Sequence, residues 1–264
     1  MGLRLNVFCC SNPNSIFGMA VEARFFSDSY IPKIVVDRDA EKARIADYLR
    51  SVLDGSPFRT LYVYGSSGVG KTVTTRHVLS QLELSRNDVS VAFIDSAGLT
   101  RYQVLCELHA NVCGRPTRKL TCFELTRRII GRLRSRETTQ IIALDNFDKI
   151  EEVENLLWDL NAIQQKILKP MGLILISTSR YDLPSLIGNR LYSRLKPELL
   201  FFKPYDAEIL FEILRERMFE AYGRMVAEEQ ALVRLCGFVE ANGGSARLAL
   251  ELFLDCANEA QAQT

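Results

Sequence analysis

Residues 60–79, TLYVYGSSGVGKTVTTRHVL, decide how the rest of the chain is read. Thr60–Tyr64 is a β-branched and aromatic run with the composition of a buried strand. Gly65, Ser66, Ser67, Gly68, Val69, Gly70, Lys71 and Thr72 then match GxxxxGK[ST], and a helical pattern follows. Glycines at such a strand-to-helix turn let backbone N–H groups face inward around an anion at a helix N-terminus. Lys71 would neutralise the β- and γ-phosphates of a nucleotide, and the Thr72 hydroxyl would ligate magnesium. A glycine turn with an unrelated lysine is the plainer reading, but the strand before and the helix after favour a phosphate loop.

Outward from this loop, strands and helices alternate. DVSVAFID (88–95), TTQIIALD (138–145), GLILIST (172–178) and ELLFF (198–202) read as further strands. Helical patterns over 41–53, 72–82, 101–113, 122–135 and 154–167 lie before or between the strands. Near-continuous apolar strands with helical crossovers predict an α/β fold, a parallel sheet covered on both faces. After Pro204 the strand signal stops, and three amphipathic helical patterns run to the end. The expected plan is a five-stranded α/β domain over residues 31–203 and a small all-helical lid domain over 204–264. Residues 1–30 show no clean period and read as an N-terminal arm or partly disordered lead-in.

Of 264 residues, 47% are hydrophobic and 25% charged, the balance of a globular chain. No run of eighteen apolar residues marks a membrane span, and the N-terminus lacks the long apolar core of a secretory leader. The seven cysteines are scattered apart from Cys9 and Cys10, and no CxxC pair occurs. That pattern suits buried thiols in a reducing interior, so the expected location is cytoplasmic or nucleoid. The net charge of +1 is uninformative, but its distribution is not. Between residues 115 and 136 stand Arg115, Arg118, Lys119, Arg127, Arg128, Arg132, Arg134 and Arg136, against Glu124 alone among acids. This is either a solvated helix face or a surface for nucleic-acid phosphates. His77 and His109 fit helix patterns, and Trp158 reads as core.

Asp145 closes the third apolar strand, where a carboxylate can hold the water shell of a magnesium ion near Thr72. Asp148 is a second acid in the same turn, or simply a helix N-cap or a solvated loop residue.

Together these motifs resemble the AAA+ ATPases. The loop YVYGSSGVGKT, the strand IIALDNFD, the strand end ILISTSR, then IGNRLYSRL and GGSARLALEL occur in that family's order. IPKIVVDRDAEKARIADYL and SAGLTRYQVLCEL narrow the resemblance to the origin-recognition and replication-initiator branch, in its archaeal form. The resemblance covers residues 31–257. It implies ATP or ADP with Mg2+ as ligands, and double-stranded DNA and other AAA+ initiator subunits as partners. By position, Arg38 belongs to the entry motif near the adenine, Arg190 matches the arginine finger, and Arg247 matches the second sensor. Arg101 and Tyr102 fall where that branch carries a helical element that touches DNA.

Three departures accompany it. The family's catalytic glutamate falls at Asn146, which accepts no proton at useful pH. The first sensor falls at Arg180 rather than at an amide. No winged-helix domain follows the lid, so DNA binding is expected to be weak. Loss of a general base costs about 10²- to 10⁴-fold in rate, whereas binding rests on backbone, Lys71 and magnesium. The expectation is therefore a nucleotide-dependent switch with slow or absent hydrolysis. Two alternatives stand beside it. One is an active ATPase or loader using Asp148 or another acid as base; the other is a structural subunit with a permanently bound nucleotide.

Overall fold

The computed structural model describes residues 22–27, 30–55, 60–115, 119–178 and 183–262. The strands are β1 (Thr60–Tyr64), β2 (Val89–Asp95), β3 (Thr139–Asp145), β4 (Met171–Ser177) and β5 (Glu198–Phe201). They form one parallel sheet in the order β2-β3-β4-β1-β5. β3 and β4 are buried along their whole length, as their continuous apolar sequences require.

The helices around the sheet are α1 (Asp39–Leu53), α2 (Lys71–Ser85), α3 (Arg101–Cys113), α4 (Cys122–Arg134) and α5 (Val153–Lys166). Two short helices that the sequence pattern does not reveal, α6 (Leu183–Ile187) and α7 (Asn189–Leu195), precede β5. α3 and α4 start at reciprocal capping boxes, Thr100 with Gln103 and Thr121 with Glu124, each of which satisfies two otherwise orphaned groups. The core of this sheet unit packs Ile142, Leu144, Leu173 and Leu175 against Leu105, Leu125, Ile129 and Leu160.

The C-terminal helices are α8 (Ala207–Tyr222), α9 (Glu229–Ala241) and α10 (Ala246–Ala262). Asp206 caps α8 by accepting from Ile209 N, and Gly223, in the left-handed region, ends it. Their core gathers Leu210, Leu214, Leu235, Val239 and Phe253. The lead-in joins this core from Ala23 on: Ala23–Phe26 forms a 3-10 turn, and Phe26, 3% exposed, stacks on Phe253 at 4.9 Å. A large aromatic with such a partner holds a segment that the sequence period leaves unassigned. Residues 1–21 lie outside the described residues.

The chain divides into two compact units. One comprises Ala40–Gly65 and Thr74–Phe201; the other comprises the segment up to Asp39, Ser66–Val73 and Phe202 onward. These units are not contiguous as the expected domains were: the phosphate loop and the segment up to Asp39 cluster with the C-terminal helices. The five described cysteines are all free, and only Cys236 is buried, so the expectation of generally buried thiols is corrected. Cys9 and Cys10 fall outside the described residues. No helix among the described residues is long and apolar enough to cross a membrane.

Candidate nucleotide site

In the unit that holds the phosphate loop, two of the loop's carbonyls accept hydrogen bonds from residues outside the loop. Ala246 N donates to Gly68 O at 2.9 Å, and Arg38 Nη2 donates to Val69 O at 3.1 Å. Gly68 and Gly70 have φ of +76° and +87°, values that suit glycine. A Cβ on Gly68 would lie 2.0 Å from Ser245 Oγ, so the close approach of the α10 start also requires glycine there. Arg247 Nη1 donates to Ser67 Oγ at 3.3 Å, which brings the expected second sensor onto the loop. Lys71 is 6% exposed, and its ammonium donates to Ser66 O at 2.6 Å. Gly65 leads out of β1, and Thr72 stands in the first turn of α2.

Arg38 differs in detail from its sequence assignment. It is 3% exposed, and its guanidinium bonds Val69 O, Lys203 O at 2.7 Å and the Tyr205 hydroxyl at 3.2 Å. It also lies over the rings of Tyr205 and Phe202, at 4.0 and 5.3 Å. It thus grips the loop's backbone and the start of the lid segment. The donor set of this unit is two arginines, a lysine and the backbone amides of a glycine loop at a helix start, a chemistry that fits a polyphosphate.

The sheet unit carries the acids. Asp95 and Asp145 end β2 and β3 in register. Asp145 is 7% exposed and its Oδ1 accepts from Asn146 N at 3.0 Å. Asn146 sits in the left-handed region (φ 55°, ψ 34°), which asparagine adopts more readily than glutamate. Its Nδ2 donates to Asp95 Oδ1 at 3.0 Å. Asp95 is the functional candidate that sequence reading missed, because only strand register puts it beside Asn146. Asp148 lies half-buried in a 3-10 turn, and among the described residues its buried Oδ1 has no hydrogen-bond partner.

Arg190 lies on α7 with its guanidinium 5.5 Å from the Trp158 ring, and Arg194 lies 5.7 Å from the same ring. No carboxylate among the described residues pairs with either, so the simple surface ion pair is not what holds Arg190. Trp158 is half-buried and packs against the core of the sheet unit. Arg101 is engaged by Asp159 at 2.7 Å and Glu152 at 3.7 Å. α4 buries Leu125, Ile129 and Leu133 and exposes Arg127, Arg128, Arg132 and Arg134. Arg118 and Arg180 lie outside the described residues.

Residues 58–183 match the family described as an AAA domain. An ORC1-type DNA replication protein of Methanothermobacter thermautotrophicus is 32% identical over 230 residues, covering 86% of this chain and 59% of the relative. ORC1-type DNA replication protein 10 of Halobacterium salinarum is 32% identical over 239 residues, covering 85% and 57%. The Aeropyrum pernix ORC1 protein, solved in complex with DNA, superposes with a TM-score of 0.78 at 28% identity, covering 92% of this chain and 65% of that one. Cdc6p from Pyrobaculum aerophilum shares the fold, with a TM-score of 0.75 at 21% identity and coverage of 92% and 67%. The chain spans about three fifths of the length of the curated relatives it matches.

Proposed function

The chain carries an AAA domain on the fold of the archaeal Orc1 and Cdc6 proteins, and from that premise we propose that it is a nucleotide-held switch acting in DNA replication initiation. ATP or ADP with Mg2+ is its ligand, and hydrolysis is slow or absent. The observation that carries this reading is Asn146. The residue at the position of the base is an amide, which takes up no proton at useful pH, and its Nδ2 donates to Asp95 Oδ1.

The roles divide by residue. The amides of the 65–72 loop and the Lys71 ammonium take the β- and γ-phosphate charge. Arg247 donates from the lid, the Thr72 hydroxyl is an oxygen ligand of the kind magnesium takes, and on the sheet unit the Asp145 carboxylate is another such group. Arg190, held over Trp158, is the cation offered to a nucleotide on a neighbouring subunit. When bound, ATP supplies the γ-phosphate whose presence or loss the switch registers. Duplex DNA is a second partner, received on the exposed arginines of α4, with other initiator subunits completing the assembly.

Nucleotide affinity and turnover, measured for the unaltered chain and for Asn146→Glu, test this. Tight binding with turnover far slower than that of the glutamate variant is the expected result. Fast turnover with Asn146 in place sinks the switch. One observation favours a second reading, an active ATPase: Asp148 is a further carboxylate three residues after Asp145, and its Oδ1 is not engaged in a hydrogen bond among the described residues. Asp148→Asn abolishes turnover under that reading and leaves it unchanged under the first.

A further inference from the structure

We infer that Arg38 is a positioning residue: it holds the Val69–Gly70 peptide so that the Gly70 N–H is aimed into the phosphate loop. This rests on the nucleotide-binding reading above. It also adds to it, since it names what sets the loop's competence.

The inference begins with peptide geometry. The carbonyl of one residue and the N–H of the next share a rigid plane and, in a trans peptide, point in opposite directions. No cis peptide occurs among the described residues. Whatever fixes the Val69 carbonyl therefore fixes the Gly70 N–H, and whatever fixes the Gly68 carbonyl fixes the Val69 N–H. Ala246 N, at the start of α10, holds the Gly68 carbonyl. Arg38 Nη2 holds the Val69 carbonyl. Rotating the 69–70 peptide changes mainly ψ of Val69 and φ of Gly70. A glycine accepts either sign of φ at little cost, so residue 70 itself does not choose the direction. Gly70 stands at φ +87°, and the bond from Arg38 makes that choice.

Arg38 is well placed to impose it. Its own position is over-determined by Lys203 O, the Tyr205 hydroxyl, and the Tyr205 and Phe202 rings. Asp37, immediately before it, takes the left-handed conformation (φ 50°) that turns the chain toward these partners. Tyr205 N in turn bonds Gly244 O, two residues before Ala246. Both loop carbonyls are thus anchored to one connected set of bonds, and Arg38 is its cationic member. A cation there adds an effect beyond direction: it polarises the 69–70 peptide, which strengthens the Gly70 N–H as a donor to an anion.

The test uses Arg38→Lys and Arg38→Met in the whole chain. Two readouts are needed: affinity for fluorescent ADP with Mg2+, and hydrogen exchange of the Gly70 amide by NMR without nucleotide. R38M is expected to weaken ADP binding about tenfold, equivalent to one hydrogen-bond-sized change. It should also raise Gly70 exchange and broaden its resonance. R38K, which keeps charge but cannot bridge three acceptors, should fall between, and added guanidinium should partly restore R38M. If R38M unfolds, R38K carries the same two measurements. Wild-type ADP affinity with an unchanged Gly70 amide in R38K overturns the inference. If the unaltered chain itself fails to bind ADP, the nucleotide reading falls. Gly70 exchange still decides the Arg38 inference, because it needs no ligand.

Discussion

The two compact units use polar groups in opposite ways. In the unit of the phosphate loop and C-terminal helices, donors predominate: Arg38, Lys71, Arg247 and Ala246 N each bond the loop at a named acceptor. At the carboxyl ends of β2 and β3 in the sheet unit, acceptors predominate: Asp95, Asp145 and Asp148, with the Asn146 amide bonded to one of them. The contrast teaches that clustered donors and clustered acceptors are built by separate parts of the sequence. One can stay intact while the other is altered. Under the proposed reading the donors would hold the nucleotide, and Asn146, an amide bonded to Asp95, would stand where a base is expected.

The strongest way to break this contrast is at Lys71. Lys71→Ala is expected to weaken nucleotide binding at least about a hundredfold, since a charge-assisted contact of a buried ammonium is lost. Equilibrium titration with fluorescent ATP checks it. On the acceptor side, Asn146→Glu alone sets a second carboxylate against Asp95 and puts glutamate in a left-handed conformation. The pair Asn146→Glu with Asp95→Asn restores an amide–carboxylate bond with the partners exchanged. Turnover should therefore rise more in the double variant, by up to about 10²-fold, than in the single one. Steady-state phosphate release for both variants settles the order.

A third prediction concerns Gly244, at φ +62°, where a Cβ would lie 2.2 Å from the Tyr205 carbonyl oxygen. Gly244→Ala should cost about 3 kcal/mol of stability through strain and backbone overlap, seen as a lower urea midpoint. The smallest effect is at Cys236, whose thiol burial pushes up to about 12. Its folded pKa lies above the unfolded one, so its contribution to stability is present below the ordinary thiol range and is lost as pH rises from about 9 toward 12. Alkylation at pH 8.5, on the order of the ordinary thiol pKa, should therefore spare Cys236 until the lid core opens. The half-buried Cys106 and Cys122 should react first.

Much of this was legible in the primary structure. The glycine loop, five apolar strands and three C-terminal amphipathic patterns fall within a residue or two of the observed elements, because each follows a local period or fixed spacing. Arg247 was reachable by motif and does meet the loop at Ser67. The rest depended on distant pairing. Asp95 becomes relevant only through the β2–β3 register. Tyr205 matters only through Arg38, 167 positions away in sequence. Trp158 packs at the margin of the core, and the two arginines that lie over its ring come from a seven-residue helix that leaves no periodic trace. Phe26 joins the C-terminal core from a segment whose own sequence offers no pattern.

The strand order has a consequence for how the chain matures during synthesis. β2 and β3 can pair soon after they are made, with the capped helices α3 and α4 lying between them in sequence. β1 has no such neighbour. Thr60 waits for Leu173 and Leu61 for Glu198, so β1 becomes an interior strand only after most of the chain has left the ribosome. Until then the apolar edges of TLYVY remain unpaired, and that interval is when the nascent chain is most open to aggregation and to chaperone capture.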